Sequence, residues 1–259
     1  MKLYIVTATD NNYAKYLGVM LHSLLENLGD KTNTNIFIME RSLSKKNKMK
    51  LQKIVGMYNL KVEFITINDN DYKHSFPEVR YWPREAYYRI LIPEVLGKDI
   101  NKVLYLDCDL IIREDISNLW NINIDDYFLA GVDEEAVDVK RKEALSIPAK
   151  SIYFNSGVLL INLQKWRENN ISSKVIQYIE DNLTIIKWPD QDALNAILYD
   201  KCLKLEPKWN YSTVIQKMIH IDNPAIVHFI GPKKLQNSKH PFKEEYFKYL
   251  KSSLWDQEN

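Results

Sequence analysis

The chain has 259 residues, which suits one large α/β domain or two small ones and a core that needs no staple. Lys plus Arg number 35 and Asp plus Glu 34, and a formal net charge of +1 excludes the electrostatic footprint of a nucleic-acid-binding domain. The two cysteines, Cys108 and Cys202, form no CxxC pair, so zinc ribbons and disulfide frameworks are excluded, and a reducing, cytoplasmic setting fits.

In chain order, Lys2 to Ala8 is a mostly apolar run that ends in the polar cluster Thr9-Asp10-Asn11-Asn12, the pattern of a buried strand entering a loop. The N-terminus lacks the apolar region and cleavage site of a signal peptide, and no run approaches transmembrane length. Tyr16, Leu17, Met20, Leu21, Leu24, Leu25 and Leu28 recur at helical spacing. Ile36 to Met39 reads as a second strand, about Ser44 to Tyr58 as a helix, and Val62 to Ile67 as a third strand. This alternation predicts an α/β fold with a parallel sheet. Residues 69–83, with Pro77 and Pro83, read as a loop, and Arg84 to Leu96 as a helix interrupted near Pro93.

Lys102 to Leu106 is the next strand, followed by Tyr127 to Val132. The charged stretch 133–152 reads as an irregular, mobile or acceptor-facing loop. Val158 to Ile161 is a strand, and helices are expected near Gln164 to Arg167, over Ser173 to Leu183 and over Asp190 to Tyr199. Ala225 to Phe229 is a late short strand. Pro241 to Trp255 interleaves lysines with Phe, Tyr and Leu, as a helix would that packs on the domain or touches an anionic membrane weakly from the cytoplasmic face. The lysines of 45–53 read as a solvated helix face. No repeat or linker divides the chain, so residues 1–259 are expected to form a single domain.

The strongest local signal is Val103-Leu-Tyr-Leu-Asp107-Cys-Asp109. Two carboxylates at the carboxyl end of a buried strand are costly unless paired or bound to a cation. Strand ends of parallel sheets are where ligands sit. Alternate strand residues point the same way, so both carboxylates can face one ion. Oxygen ligands suit Mg²⁺ or Mn²⁺, with a diphosphate completing the shell. Read alone, the same motif is also a turn with exposed aspartates.

Here the sequence resembles the retaining sugar transferases of glycosyltransferase family 8, which includes bacterial lipooligosaccharide galactosyltransferases and glycogenin. The resemblance covers roughly residues 3–236. It rests on Ala8-Thr-Asp-Asn-Asn-Tyr13, Tyr87-Tyr-Arg89, Leu104-Tyr-Leu-Asp-Cys-Asp109, Phe154-Asn-Ser-Gly-Val-Leu-Leu-Ile-Asn-Leu163, Asp190-Gln-Asp-Ala-Leu-Asn195 and His228-Phe-Ile-Gly-Pro-Lys-Lys234. It implies a GT-A fold: a Rossmann-like nucleotide-binding half (1–110) with a mostly parallel central sheet, a less regular sugar and acceptor half (111–240), and a C-terminal helix (241–259). It implies a UDP-sugar donor, Mn²⁺ with Mg²⁺ as the alternative ion, and a glycan, glycolipid or glycoprotein acceptor. The resemblance implies galactose or glucose as the transferred hexose. The oligomeric state is left open.

The resemblance also assigns residues. Ala8, Thr9, Asp10, Asn12 and Tyr13 would hold the uridine. The same polar cluster would also cap a helix, and the G-x-G-x-x-G dinucleotide fingerprint is absent. Asp107, Asp109 and His228 would bind the metal, with Cys108 alongside. Arg89, Asn155, Asp190 and Gln191 would line the donor sugar, Arg89, Asp190 and Gln191 with catalytic roles. Read alone, Arg89 is a surface salt bridge, Asn155-Ser-Gly157 a turn, Asp190 a helix cap and His228 a satisfied core histidine. Gly231 and Lys234 would meet the diphosphate. The family often continues Lys-Pro-Trp where this chain reads Lys234-Leu-Gln, so Lys233 competes for that role. Two rivals are weighed: a non-catalytic nucleotide-sugar binding module, and a sugar-nucleotide pyrophosphorylase, whose Gly-rich basic loop Thr9 to Tyr13 does not supply.

Overall fold

The computed structural model describes residues 2–68, 84–230 and 240–255. The first half follows the predicted alternation. Strand β1 (Leu3–Ala8), helix α1 (Ala14–Asn27), strand β2 (Thr34–Glu40), helix α2 (Lys45–Gly56) and strand β3 (Val62–Thr66) come in order. Helix α1 forms because Leu17, Met20, Leu21, Leu24 and Leu25 make one buried face. At its start, Asp10 Oδ1 accepts the Tyr13 amide at 2.7 Å, satisfying an orphan donor. Ser44 caps α2 by accepting the Asn47 amide. Lys45, Lys46 and Lys53 face solvent, as expected, whereas Lys48 turns back to the buried carboxylate of Glu40 at 2.8 Å.

A 3₁₀ turn, Arg84–Tyr87, leads into helix α3 (Tyr88–Val95), which continues through Pro93. The irregularity thus lies at the front of this segment and not at the proline. Strand β4 (Lys102–Leu106) carries the Asp107-Cys108-Asp109 run at its carboxyl end. Short strand β5 (Leu110–Ile112), helix α4 (Ser117–Trp120), strand β6 (Leu129–Asp133) and helix α5 (Val139–Ala144) follow. Then come strand β7 (Phe154–Asn162), helices α6 (Leu163–Glu168), α7 (Ile171–Asp181) and α8 (Pro189–Leu198), and strands β8 (Cys202–Leu205), β9 (Tyr211–Ser212) and β10 (Ile226–His228). Helix α9 (Lys243–Ser252) comes last.

Seven strands form the central sheet in the order β3-β2-β1-β4-β7-β6-β8. All neighbours are parallel except β7, which runs antiparallel to both β4 and β6. The sheet is mostly parallel, as anticipated. Its apolar faces bury two cores, one under α1 and α2 and one under α3, α7 and α8. A second sheet, β5-β10-β9, stands beside the carboxyl end of β4. Helix α9 covers it, with Tyr246, Tyr249 and Leu250 packed on Val19, Ile111, Val227 and Phe229. Packing on the domain is therefore what the apolar residues of this helix do. No helix among the described residues is long and apolar enough to cross a membrane.

Candidate active site

The chain leaves the central sheet at Asp107 and enters the second sheet at Leu110, so the two aspartates lie at the junction. Two registers complete the site. Strand β10 pairs antiparallel with β5, placing His228 opposite Leu110, and the Phe229 amide donates to the Asp109 carbonyl at 3.0 Å. Strand β7 pairs with β4 up to Leu106↔Val158, and the Asp107 amide continues the ladder to the Gly157 carbonyl at 2.8 Å. Residues far apart in sequence are thus fixed by backbone hydrogen bonds.

Asp107, Asp109 and His228 each present one ligand atom within 4.8 Å of the others. His228 Nε2 is 3.2 Å from Asp109 Oδ1 and 4.0 Å from Asp107 Oδ2. Burial would lower the imidazole pKa, yet the carboxylates of Asp109 and Asp107 outweigh it and hold the group above its ordinary value. Two carboxylates and an imidazole nitrogen facing one another demand a cation, a proton or a metal. A side chain on Gly157 would intrude here: a Cβ would lie 2.7 Å from Asp107 Oδ2 and against the His228 ring. The cradle exists because residue 157 has no side chain. This donor set fits a divalent ion such as Mn²⁺.

Arg89 is buried and connects this cluster to α8. Its Nη2 donates to Asp107 Oδ1 at 2.9 Å, its Nε lies 3.0 Å from Asp190 Oδ2, and its Nη1 donates to the Ser156 carbonyl. The Tyr105 ring lies 4.5 Å below the guanidinium, and the Tyr105 hydroxyl also donates to Asp107 Oδ1 at 2.9 Å. Burial opposes the charge on Arg89, but Asp107 and Asp190 raise its pKa above the ordinary value. Asp190 is itself raised, by burial against the partial relief that Arg89 and Ser156 provide. Arg89 is therefore a buried ion-pair bridge and not a surface salt bridge.

Asn155, Ser156 and Gly157 lie inside β7, so they are strand residues and not a turn. Asn195 clamps α8 to this strand: its Oδ1 accepts the Phe154 amide and its Nδ2 donates to the Phe154 carbonyl, both at 2.8 Å. Gln191 Oε1 then accepts the Ser156 amide at 3.1 Å and Asn155 Nδ2 at 3.2 Å. Ser156 Oγ donates to Asp190 Oδ2 at 2.8 Å.

Sequence reasoning missed two residues here. Glu134 is buried and accepts from Asn155 Nδ2 at 3.0 Å and from Gln191 Nε2 at 3.1 Å. Burial raises its pKa despite these donors. It directly follows β6, so the strand-end rule that found Asp107 could have found it. Asn210 bridges His228 and Asn155. No local pattern announces it.

The segment that carries Ala8, Thr9, Asp10, Asn12 and Tyr13 leaves the end of β1 beside this cluster. Cys108 Sγ donates to the Ala8 carbonyl at 2.9 Å, tying the first loop to the aspartates. Asp10 holds the Tyr13 amide in the turn ahead of α1 and does not cap the helix itself, and Asn12 Nδ2 donates to its second oxygen at 3.1 Å. Burial and the charge of Asp109 push the half-buried Tyr13 phenol up to about 12. The stretch 133–152 is tied down: Arg141 on α5 is paired with the fully buried Asp192, which also accepts the Tyr153 hydroxyl at 2.6 Å. Gly231, Lys233 and Lys234 lie outside the described residues.

The glycosyl transferase family 8 profile matches residues 4–235. General stress protein A of Bacillus subtilis is 36% identical over 98% of this chain and 95% of its own length. A putative glycosyltransferase of Haemophilus influenzae is 30% identical over 91% of this chain and 73% of its own. The lipopolysaccharide 1,2-glucosyltransferase of Escherichia coli K12 is 26% identical over 90% and 72%. Among solved structures, galactosyltransferase LgtC in complex with donor and acceptor sugar analogs superposes with a TM-score of 0.86 at 25% identity, covering 97% of this chain and 96% of LgtC. That likeness shows the GT-A fold. A family match that runs from β1 past His228, on a fold shared with LgtC, gives the conclusion that this chain belongs to glycosyl transferase family 8.

Proposed function

We propose that the protein is a metal-dependent, retaining hexosyltransferase that moves galactose or glucose from a UDP-sugar to a hydroxyl of a glycan, lipid-linked glycan or glycoprotein. The observation that carries this reading is the convergence of Asp107, Asp109 and His228 within 4.8 Å at the carboxyl end of β4. The names of several relatives, lipopolysaccharide glucosyltransferases and a galactosyltransferase, support a hexose donor and a glycan acceptor.

In this reading Asp107, Asp109 and His228 hold Mn²⁺, which when bound supplies positive charge to the diphosphate of the departing UDP. Ala8 to Tyr13 receive the nucleotide in the 1–110 half, and residues 111–240 receive the sugar and acceptor. Asp190, Asn155 and Gln191 orient the sugar hydroxyls, while Arg89 holds Asp107 and Asp190 in place. Gln191 Oε1 already accepts from Ser156 and Asn155. That favours a positioning role for its amide over nucleophilic attack. The bond from the acceptor oxygen to the anomeric carbon forms on the face from which the phosphate leaves. The bond to the phosphate oxygen breaks, and the acceptor proton passes to that oxygen. Gly231 with Lys233 or Lys234 would add further contacts to the phosphates.

The test is calorimetric titration of Mn²⁺ and UDP, followed by NMR of turnover with UDP-galactose and UDP-glucose, with and without chelator. Metal-dependent UDP binding and release of an α-anomeric product are expected. A chain that binds no UDP with Mn²⁺ present overturns the reading. Binding with neither transfer nor hydrolysis would make it a binding module, and an inverted product would refute retention.

A further inference from the structure

Two backbone amides decide the orientations of the Asn155, Asn210 and Gln191 side-chain amides. The Gly157 amide donates to Asn155 Oδ1 at 2.9 Å. A backbone N–H only donates, so the Asn155 atom facing it is the oxygen. The same oxygen is 2.8 Å from the Asn210 amide, which must therefore turn its Nδ2 toward Asn155. Asn210 Oδ1 is then the atom 2.9 Å from His228 Nδ1. An acceptor at that place requires Nδ1 to carry the hydrogen. Nε2 is then the nitrogen turned toward Asp109 and Asp107, where it meets Asp109 Oδ1 at 3.2 Å as an N–H when no ion is bound and offers its lone pair to a cation that replaces that proton. On the other side, the Ser156 amide donates to Gln191 Oε1 at 3.1 Å, so Gln191 Nε2 is the group that meets Glu134.

We propose that Asn210 is the positioning residue that sets the tautomer and ring orientation of His228, presenting Nε2 as the metal-binding nitrogen, and that Asn155 and the Gly157 backbone set Asn210 in turn. The proposal rests on the reading of Asp107, Asp109 and His228 as a divalent-cation site. Asn210 is 0% exposed and closes the 3₁₀ turn Pro207–Asn210 ahead of β9, which pairs in parallel with β10. The backbone of the second sheet thus delivers the amide to the back of the imidazole. A ligating imidazole whose far N–H is held by a fixed acceptor cannot turn an N–H toward the ion. Asn155 belongs to both halves of the site. Its Oδ1 serves the metal side, and its Nδ2 serves Glu134 and Gln191. Asn210 acts on the metal side alone.

The experiment has two readouts besides turnover. Imidazole ¹⁵N shifts of His228 in the protein loaded with diamagnetic Zn²⁺ should show hydrogen on Nδ1 and the ion on Nε2. Direct Mn²⁺ titration of the folded Asn210→Leu variant should show an affinity lowered about 10- to 100-fold, the range for losing such a partner, and its His228 shifts should report a mixed tautomer. A wild-type ring that keeps its hydrogen on Nε2 in the Zn²⁺-loaded protein overturns the proposal, whether or not the variant folds. Wild-type-like tautomer and Mn²⁺ affinity in Asn210→Leu overturn it as well. Failure of the wild-type chain itself to bind Mn²⁺ overturns the cation site, and the proposal with it.

Discussion

Arg89 and Asp107 are ion-paired at 2.9 Å, with Arg89 only 5% exposed. The same guanidinium holds Asp190 at 3.0 Å, so one side chain ties the metal cluster to the start of α8. Removing one partner of a buried ion pair typically costs about 3–5 kcal/mol. Arg89→Met is expected to lower unfolding stability by that order in urea titrations and to leave Asp190 taking up a proton. Arg89→Lys keeps the charge but not the fork, since one ammonium cannot serve Asp107, Asp190 and the Ser156 carbonyl together. It should stay better folded than Arg89→Met and still lose most of its turnover. Wild-type kcat in Arg89→Lys would show that the fork geometry is dispensable.

Gly157 gives a sharper separation of binding from folding. Its missing side chain leaves room beside Asp107, His228 and Asn155. Gly157→Ala should bind Mn²⁺ and UDP at least about tenfold more weakly by calorimetry, since the added methyl occupies the cradle itself. The strand around it is otherwise extended and paired, so alanine is compatible with the backbone there. Unchanged metal affinity in the folded variant would place the ion elsewhere.

The Arg141–Asp192 pair is structural. Asp192 is wholly buried, and its second oxygen also accepts the Lys187 and Trp188 amides at 2.8 Å. Asp192→Ala strands a buried guanidinium and should cost about 3–5 kcal/mol. Arg141→Leu with Asp192→Leu should cost less than the sum of the single changes. Additive single and double values from a urea-denaturation cycle would deny the coupling. Limited proteolysis of the Asp192→Ala variant should cut first within 133–152, the segment this pair fastens to α8.

His240, whose ring packs on Phe229 at 4.6 Å, predicts a pH dependence of stability. Burial lowers its imidazole to about 4, and its Nδ1 accepts the Phe242 amide at 3.2 Å. The folded pKa lies below the unfolded value, about 6.5. The protein is therefore stabilised by the neutral ring above pH 6.5, and this contribution fades as pH falls toward 4. Urea midpoints measured between pH 7 and 4.5 should fall less steeply for His240→Gln than for wild type. Identical slopes would mean that the ring charges freely in the folded state.

Much of the fold was legible because each element of the first half carries its own period. The apolar run of β1, the 3.6-residue spacing of α1 and the strand at 102–106 need no partner to be recognised. What escaped was short or depended on pairing. Strands β5, β8 and β9 have three, four and two residues and are defined by their neighbours. The helix α5 inside 133–152 is six residues long and is held by Arg141, so its charged sequence read as an irregular loop. Asn155-Ser-Gly157 has turn composition but lies in a strand, because pairing of Val158 with β4 and of Phe154 with β6, together with the clamp from Asn195, overrides local preference.

The sequence alone determined that a parallel α/β sheet exists, that Asp107 and Asp109 follow a buried strand, and that His228 lies at a late short one. These are consequences of local periodicity and of the cost of charge near an apolar core. Only the tertiary structure decided that the three meet within 4.8 Å, that Arg89 faces inward to two carboxylates, and that Glu134 and Asn210 complete the network. The reason is that such meetings depend on strand register across more than a hundred residues, and register is settled by the packing of the whole chain.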